Sequence, residues 1–169
     1  MIIKDKVVDA LNAQIKSEFT ASAQYVAIAV YFDDACLPQL AAFFYRQAEE
    51  ERMHAMKFVR FMLETGARPL IPGVPAVDND FSGAEDAVQF ALNQELQVTD
   101  DINHLVSLTT SEGDHTTNTF LQWFVTEQVE EVDTMTNLLQ TIRYANGNLL
   151  WVEDYVRRNP QQANEDGAV

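Results

Sequence analysis

Four glutamates and a histidine stand where a helical chain has least reason to put them. Glu18, Glu51, Glu95 and Glu131 each interrupt a row of apolar residues spaced at alternating steps of three and four, and His54 follows Glu51 by three. Steps of that size keep residues on one helix face, so Glu51 and His54 project toward a common point. If the four rows pack together, four carboxylates and an imidazole meet at one level of a dry core. Each buried carboxylate loses hydration worth several kcal/mol, and like charges add to the penalty. None of the row positions is Lys or Arg. Hard carboxylate oxygens with one imidazole and no positive side chain suit divalent or trivalent cations. A lone Glu-x-x-His is more simply a surface ion pair; its company on three other rows points to metal.

Four long helices are needed to carry these rows. The first is predicted from about Asp5 to Phe32, with its seam at Val8, Leu11, Ile15, Glu18, Ser22, Tyr25, Ala29 and Phe32. The second runs from Pro38 to Thr65 through Leu40, Phe44, Gln47, Glu51, His54, Phe58 and Phe61. Pro38 suits a first turn and Gly66 a C-terminal stop. Residues 66–81, with Pro69, Pro72 and Pro75, are too proline-rich for a helix and long enough to cross a bundle from end to end. The third helix is predicted from Ser82, with Ser82 and Glu85 spaced as a capping box and a seam at Val88, Leu92, Glu95, Val98, Ile102, Leu105 and Thr109. The fourth runs from about His115 to Tyr144, capped by Asp114, with Phe120, Phe124, Gln128, Glu131, Met135, Leu138 and Ile142 on its seam. Asn146-Gly147-Asn148 marks a turn before a short fifth helix, about Leu149 to Arg158. The fold class expected is all-α: a four-helix bundle with one long crossover between the second and third helices and a short C-terminal helix.

The chain has 169 residues, 47% of them hydrophobic, which fits one domain with a real core. We assign residues 1–158 to that domain and 159–169 to a polar tail. A net charge of −15 would repel nucleic acid. The single cysteine, Cys36, excludes an intramolecular disulfide and a CxxC metal site and fits a reducing compartment. The N-terminus lacks the apolar core of a signal peptide, and no apolar run approaches a membrane span. A cytoplasmic protein is expected.

Other polar residues flank the seams. Tyr25 lies two turns beyond Glu18 on the same face, either as core packing or as a hydrogen-bonding or redox partner of the metals. Trp123 beside the fourth seam reads as core in preference to a second electron donor. Glu50, Glu127 and Glu130 are rotated about 100° from seam residues, giving either a solvated face or a peripheral cation position. His104 and His115 have no such company and read as surface groups.

SEFTASAQYVA, AEEERMHAMKF, NQELQVT and FLQWFVTEQVEEV together resemble the four helical signatures of bacterial non-haem ferritins. The resemblance extends from about Ile3 to Arg157, and its combined motifs are highly specific. It implies a ferritin-like bundle in which Glu18, Glu51 and His54 hold a first iron and Glu51, Glu95 and Glu131 a second, with Glu51 bridging and Gln128 beside the second iron. It further implies a third iron position at Glu50, Glu127, Glu130 and Glu131, a tyrosine near the first site at Tyr25, and a hollow shell of twenty-four subunits storing hydrated ferric oxide. The position of the haem-ligating methionine in bacterioferritins, directly after the second-helix glutamate, is here Arg52, with Met53 one residue off, so no haem is expected. The stretch Gln128-Val-Glu-Glu131 likewise lacks the second histidine of those proteins.

The activity expected is ferroxidase: oxidation of Fe(II) by O2, or by H2O2 in its place, followed by Fe(III) storage as mineral. Two other classes fit less well, a shell-forming subunit with little oxidase activity and a di-iron oxygenase acting on an organic substrate.

Overall fold

The computed structural model describes residues 2–160 and consists of five helices: α1 (Asp5–Asp34), α2 (Pro38–Glu64), α3 (Ala84–Glu112), α4 (His115–Ala145) and α5 (Leu149–Arg158). Residues 161–169, most of the expected tail, lie outside the described residues. The helix ends follow local chemistry. Pro38 opens α2, where its missing N–H has no intrahelical partner to lose. Gly66 follows α2 at φ 78° and Gly113 follows α3 at φ 65°, the left-handed geometry that ends helices and costs glycine least. The Asp114 carboxylate caps α4 by accepting from the Thr117 amide at 2.9 Å, and Asn148 caps α5 through the Trp151 amide at 3.2 Å.

One start differs from expectation. Ser82 and Glu85 form no capping box. The helix begins two residues later, at Ala84, so the residue placed to reach back is Asp86. It accepts from the Ser82 amide at 2.9 Å and from the Ser82 hydroxyl at 3.0 Å, while Glu85 turns to Arg143 across the α3–α4 pair at 2.7 Å.

Short connections make α1–α2 and α3–α4 antiparallel hairpins. Ile2 N bonds Thr65 O at one end of the first pair, and Ser22 Oγ bonds Ala48 O nearer the other. The segment 65–83 carries the chain from one hairpin to the other. It is held to α1 by polar clasps: the Gln24 amide side chain donates to Asp78 O at 2.7 Å and accepts from Asp78 N at 2.9 Å, and Asn12 accepts from Leu70 N at 2.7 Å. α1 also packs on α3, and α5 lies across α2 and α4.

The core falls into two apolar clusters. One, around Phe32, Phe44, Val88 and Leu138, extends to α5 through Val152 and Val156. The other gathers Leu11, Ile15, Phe58, Ile102, Leu121 and Phe124. Between them in sequence on every long helix lie Glu18, Glu51, Glu95 and Glu131, all buried. The seam expectation holds for most positions, but Val8, Ser22, Phe61, Leu92 and Phe120 are half-buried. Near the start of α1, Val7 is fully buried instead of Val8, because a stripe about 100° wide admits either of two adjacent residues.

Phe58 stacks on Phe124 with centroids 4.2 Å apart and meets Phe120 edge-on at 5.4 Å. Phe58→Ala is expected to destabilise the metal-free protein by about 3–5 kcal/mol, read as a lower urea midpoint with helix content retained before the transition.

Candidate metal centre

Each long helix delivers its carboxylate by the same device, one glutamate on a mostly apolar seam. The result is two overlapping triads. Ligand atoms of Glu18, Glu51 and His54 lie within 4.8 Å of one another, as do those of Glu51, Glu95 and Glu131. Glu51 is common to both. All five residues are buried, none more than 5% exposed, and no Lys or Arg ion pair reaches any of them among the described residues.

The hydrogen bonds leave the centre incompletely satisfied. Gln14 donates to Glu18 Oε1 at 2.9 Å. Tyr25 OH donates to Glu95 Oε1, and Gln128 Nε2 lies 3.3 Å from Glu95 Oε2 and 3.2 Å from both Glu95 O and Thr99 Oγ1. Glu18 Oε2 and Glu51 Oε2, by contrast, are buried with no hydrogen-bond donor. Buried carboxylate oxygens without donors are rare because nothing offsets their lost hydration. A bound cation would supply what is missing, so the donor set fits hard metal ions.

Electrostatics tell the same story. Burial, then the charge of Glu51, pushes Glu18 well above the usual carboxylate range. Burial and the neighbouring carboxylates Glu95 and Glu51 do the same to Glu131. Glu95 rises from 4.5 to about 8, again chiefly by burial and then by Glu51. Burial also acts against Glu51, but the His54 charge, with Nδ1 3.5 Å from Glu51 Oε2, and the close approach of Glu18 outweigh it and hold Glu51 below its usual value. Burial opposes a charged His54, yet Glu51 and Glu127 keep it well above the ordinary imidazole range. The Tyr25 hydroxyl is pushed far up by burial and by Glu95, so it acts as a donor. Without metal, the cluster keeps protons where cations would otherwise sit.

The flanking residues divide. Glu127 is buried and lies 3.7 Å from His54 Nε2, and it forms a third group with His54 and Glu131. Glu50 is half-buried and accepts from Gln47. Glu130 is exposed and joins none of these groups among the described residues, whereas Glu50 stands within electrostatic reach of Glu127 and Glu131. Trp123 packs edge-on against the His54 ring at 5.5 Å, with Lys57 Nζ 3.4 Å above its own ring. His104 and His115 are exposed. Sequence reasoning overlooked Gln14 and Thr99. Gln14 precedes Glu18 by four, the helical spacing that could have revealed it; the Thr99 contact depends on how α4 docks and left no local trace.

The family model described as the ferritin-like domain matches residues 8–145. The chain is 50% identical to ferritin BfrB of Mycolicibacterium smegmatis over 156 residues, covering 92% of this chain and 86% of that one. It is 35% identical to the bacterial non-heme ferritin of Staphylococcus saprophyticus over 130 residues, covering 77% and 78%. An open-pore ferritin from the archaeon Archaeoglobus fulgidus superposes with a TM-score of 0.89 at 32% identity, over 91% of this chain and 97% of that one. With its four glutamate-bearing helices, its long crossover and these likenesses, the chain belongs to the ferritin family as a bacterial ferritin.

Proposed function

We propose that the chain is an iron-storage subunit that oxidises Fe(II) with O2 at a dinuclear centre inside its own bundle. Fe(III) would then pass to a mineral held in a cytoplasmic shell, for which the family suggests twenty-four copies. The observation that carries this reading is the pair of buried triads sharing Glu51, with two carboxylate oxygens that no protein donor satisfies. We assign Glu18, Glu51 and His54 to one iron and Glu51, Glu95 and Glu131 to the other.

Iron is the substrate here, and the protein supplies geometry, charge and proton control. Two Fe(II) ions give up one electron each, and O2 takes both together with two protons, leaving H2O2 and two Fe(III). Carboxylates suit both iron states because they are hard donors that can chelate one ion or bridge two. Four glutamates and one histidine for two ions leave coordination positions for the oxidant. Tyr25 and Gln128 orient Glu95 by donating to it. His54, Glu127 and Glu131 lie on the α2–α4 side of the centre, and with Glu50 and Glu130 on the same helices they give Fe(III) an acidic path toward the store.

Cation binding must expel the protons that burial holds on Glu18, Glu95 and Glu131. Metal affinity therefore rises with pH. The same shifts weaken the metal-free fold as pH rises. Between 4.5 and about 8 the folded Glu95 binds a proton that the unfolded chain has released, so unfolding free energy falls across that window.

Two outcomes test the reading. Glu51→Ala and His54→Ala should each abolish the fast phase of Fe(II) oxidation followed by ultraviolet absorbance, with rates down by about 10² or more; rapid oxidation unchanged in both would place the chemistry elsewhere. In the metal-free protein, the urea midpoint should drop as pH is raised from about 5 to about 8, and Glu95→Gln should flatten the slope. A midpoint that climbs steadily over that range in wild type would contradict the proton-filled centre.

A further inference from the structure

Two surface clefts each have in their wall a buried glutamine that bonds a proposed ligand, Gln128 in one and Gln14 in the other. The α3–α4 cleft has Gln128 in its wall among Leu96, Val125, Val129 and Val132, with Asp133 as its one charged residue. The α1–α3 cleft encloses about 380 Å³ and is lined by Ala13, Gln14, Asp101, His104, Leu105 and Leu108. The second pairs a carboxylate with an imidazole, the first has a carboxylate without one, and a guided cation path needs such a pair. Asp101 and His104, three apart on α3, share one face; His104 is exposed and Asp101 half-buried. Gln14 is only 3% exposed, and its Nε2 donates to Glu18 Oε1 at 2.9 Å. One neutral side chain is thus both a wall of the cleft and a partner of a proposed metal ligand.

The geometry points to the α1–α3 cleft as the route by which Fe(II) reaches the Glu18 side of the centre, with Asp101 and His104 as its first, transient contacts and Gln14 as the gate. The inference rests on the ferroxidase reading above. The cleft's volume equals roughly a dozen waters at about 30 Å³ each, room for an ion that still carries part of its hydration shell. A carboxylate and an imidazole make too few ligands to trap Fe(II) and enough to guide it. Turning the Gln14 amide away from Glu18 removes one hydrogen bond and uncovers an oxygen of the ligand itself, which an arriving cation then satisfies. The acids that would pass Fe(III) onward, Glu50, Glu127 and Glu130, stand on α2 and α4. Entry at α1–α3 and exit at α2–α4 make each subunit a one-way path through its own wall.

The test uses the assembled protein and two surface variants, Asp101→Asn/His104→Asn and Ala13→Trp; Ala13 is exposed, so the added indole blocks the cleft without entering the core. Stopped-flow Fe(II) oxidation should slow by about tenfold at subsaturating iron, within the range of electrostatic steering. The double variant should recover the wild-type rate at saturating iron. Anaerobic Co(II) titration should reach the wild-type endpoint in both, with slower approach in Ala13→Trp. Wild-type rates at every iron concentration in both variants, beside a loss of oxidation in Glu51→Ala, overturn the route and leave the centre standing. Unchanged oxidation in Glu51→Ala overturns both.

Discussion

Carboxylates that repel one another are held together in a place with almost no water, and that conflict organises the molecule. Each glutamate would lose several kcal/mol of hydration on burial as an ion, and the described residues bring no Lys or Arg to offset it. The protein resolves the conflict provisionally with protons. Glu18, Glu95 and Glu131 keep them, Glu51 gives its own up, and His54 carries the balancing charge. A proton can satisfy one carboxylate oxygen; a metal ion can satisfy several at once. The arrangement is therefore complete only in exchange, cation for proton.

Everything around the layer serves to keep it in register. The triads need one residue each from α1, α3 and α4 and two from α2. Antiparallel hairpins alone fix two helices relative to each other, not four. The long segment between α2 and α3 lets the second hairpin lie beside the first, and the Gln24 and Asn12 clasps hold that segment along α1. Donors to the glutamates complete the positioning: Gln14 on Glu18, Tyr25 and Gln128 on Glu95.

Much of this could be read from the residues alone, for a physical reason: period and caps are local. The three-four spacing exposed the seams, Pro38 and Asp114 marked two starts, and Asn146-Gly147-Asn148 the last turn. An acid in place of a hydrophobe is conspicuous, so the five central residues were visible before any geometry. What stayed hidden depends on packing. Ser82 with Glu85 looked like a cap, but where a helix begins within two residues is decided by the fit of its first turn, and Asp86 took the role. Glu127 was read from its offset to Gln128 as peripheral; it precedes Glu131 by four and follows it inward. Glu130, equally acidic, stays outside.

The two apolar clusters on either side of the polar layer have a bearing on the working life of the subunit. Small zinc domains collapse when their metal is withdrawn, since the ion is their core. Here the aromatic and aliphatic packing around Phe44 and around Phe58 and Phe124 flanks the ligands on both sides and meets them where Phe124 packs edge-on against His54 at 5.9 Å, so architecture does not hinge on occupancy. An iron-storage subunit must keep its shape between fillings, and here apolar packing on both sides of the polar layer holds it.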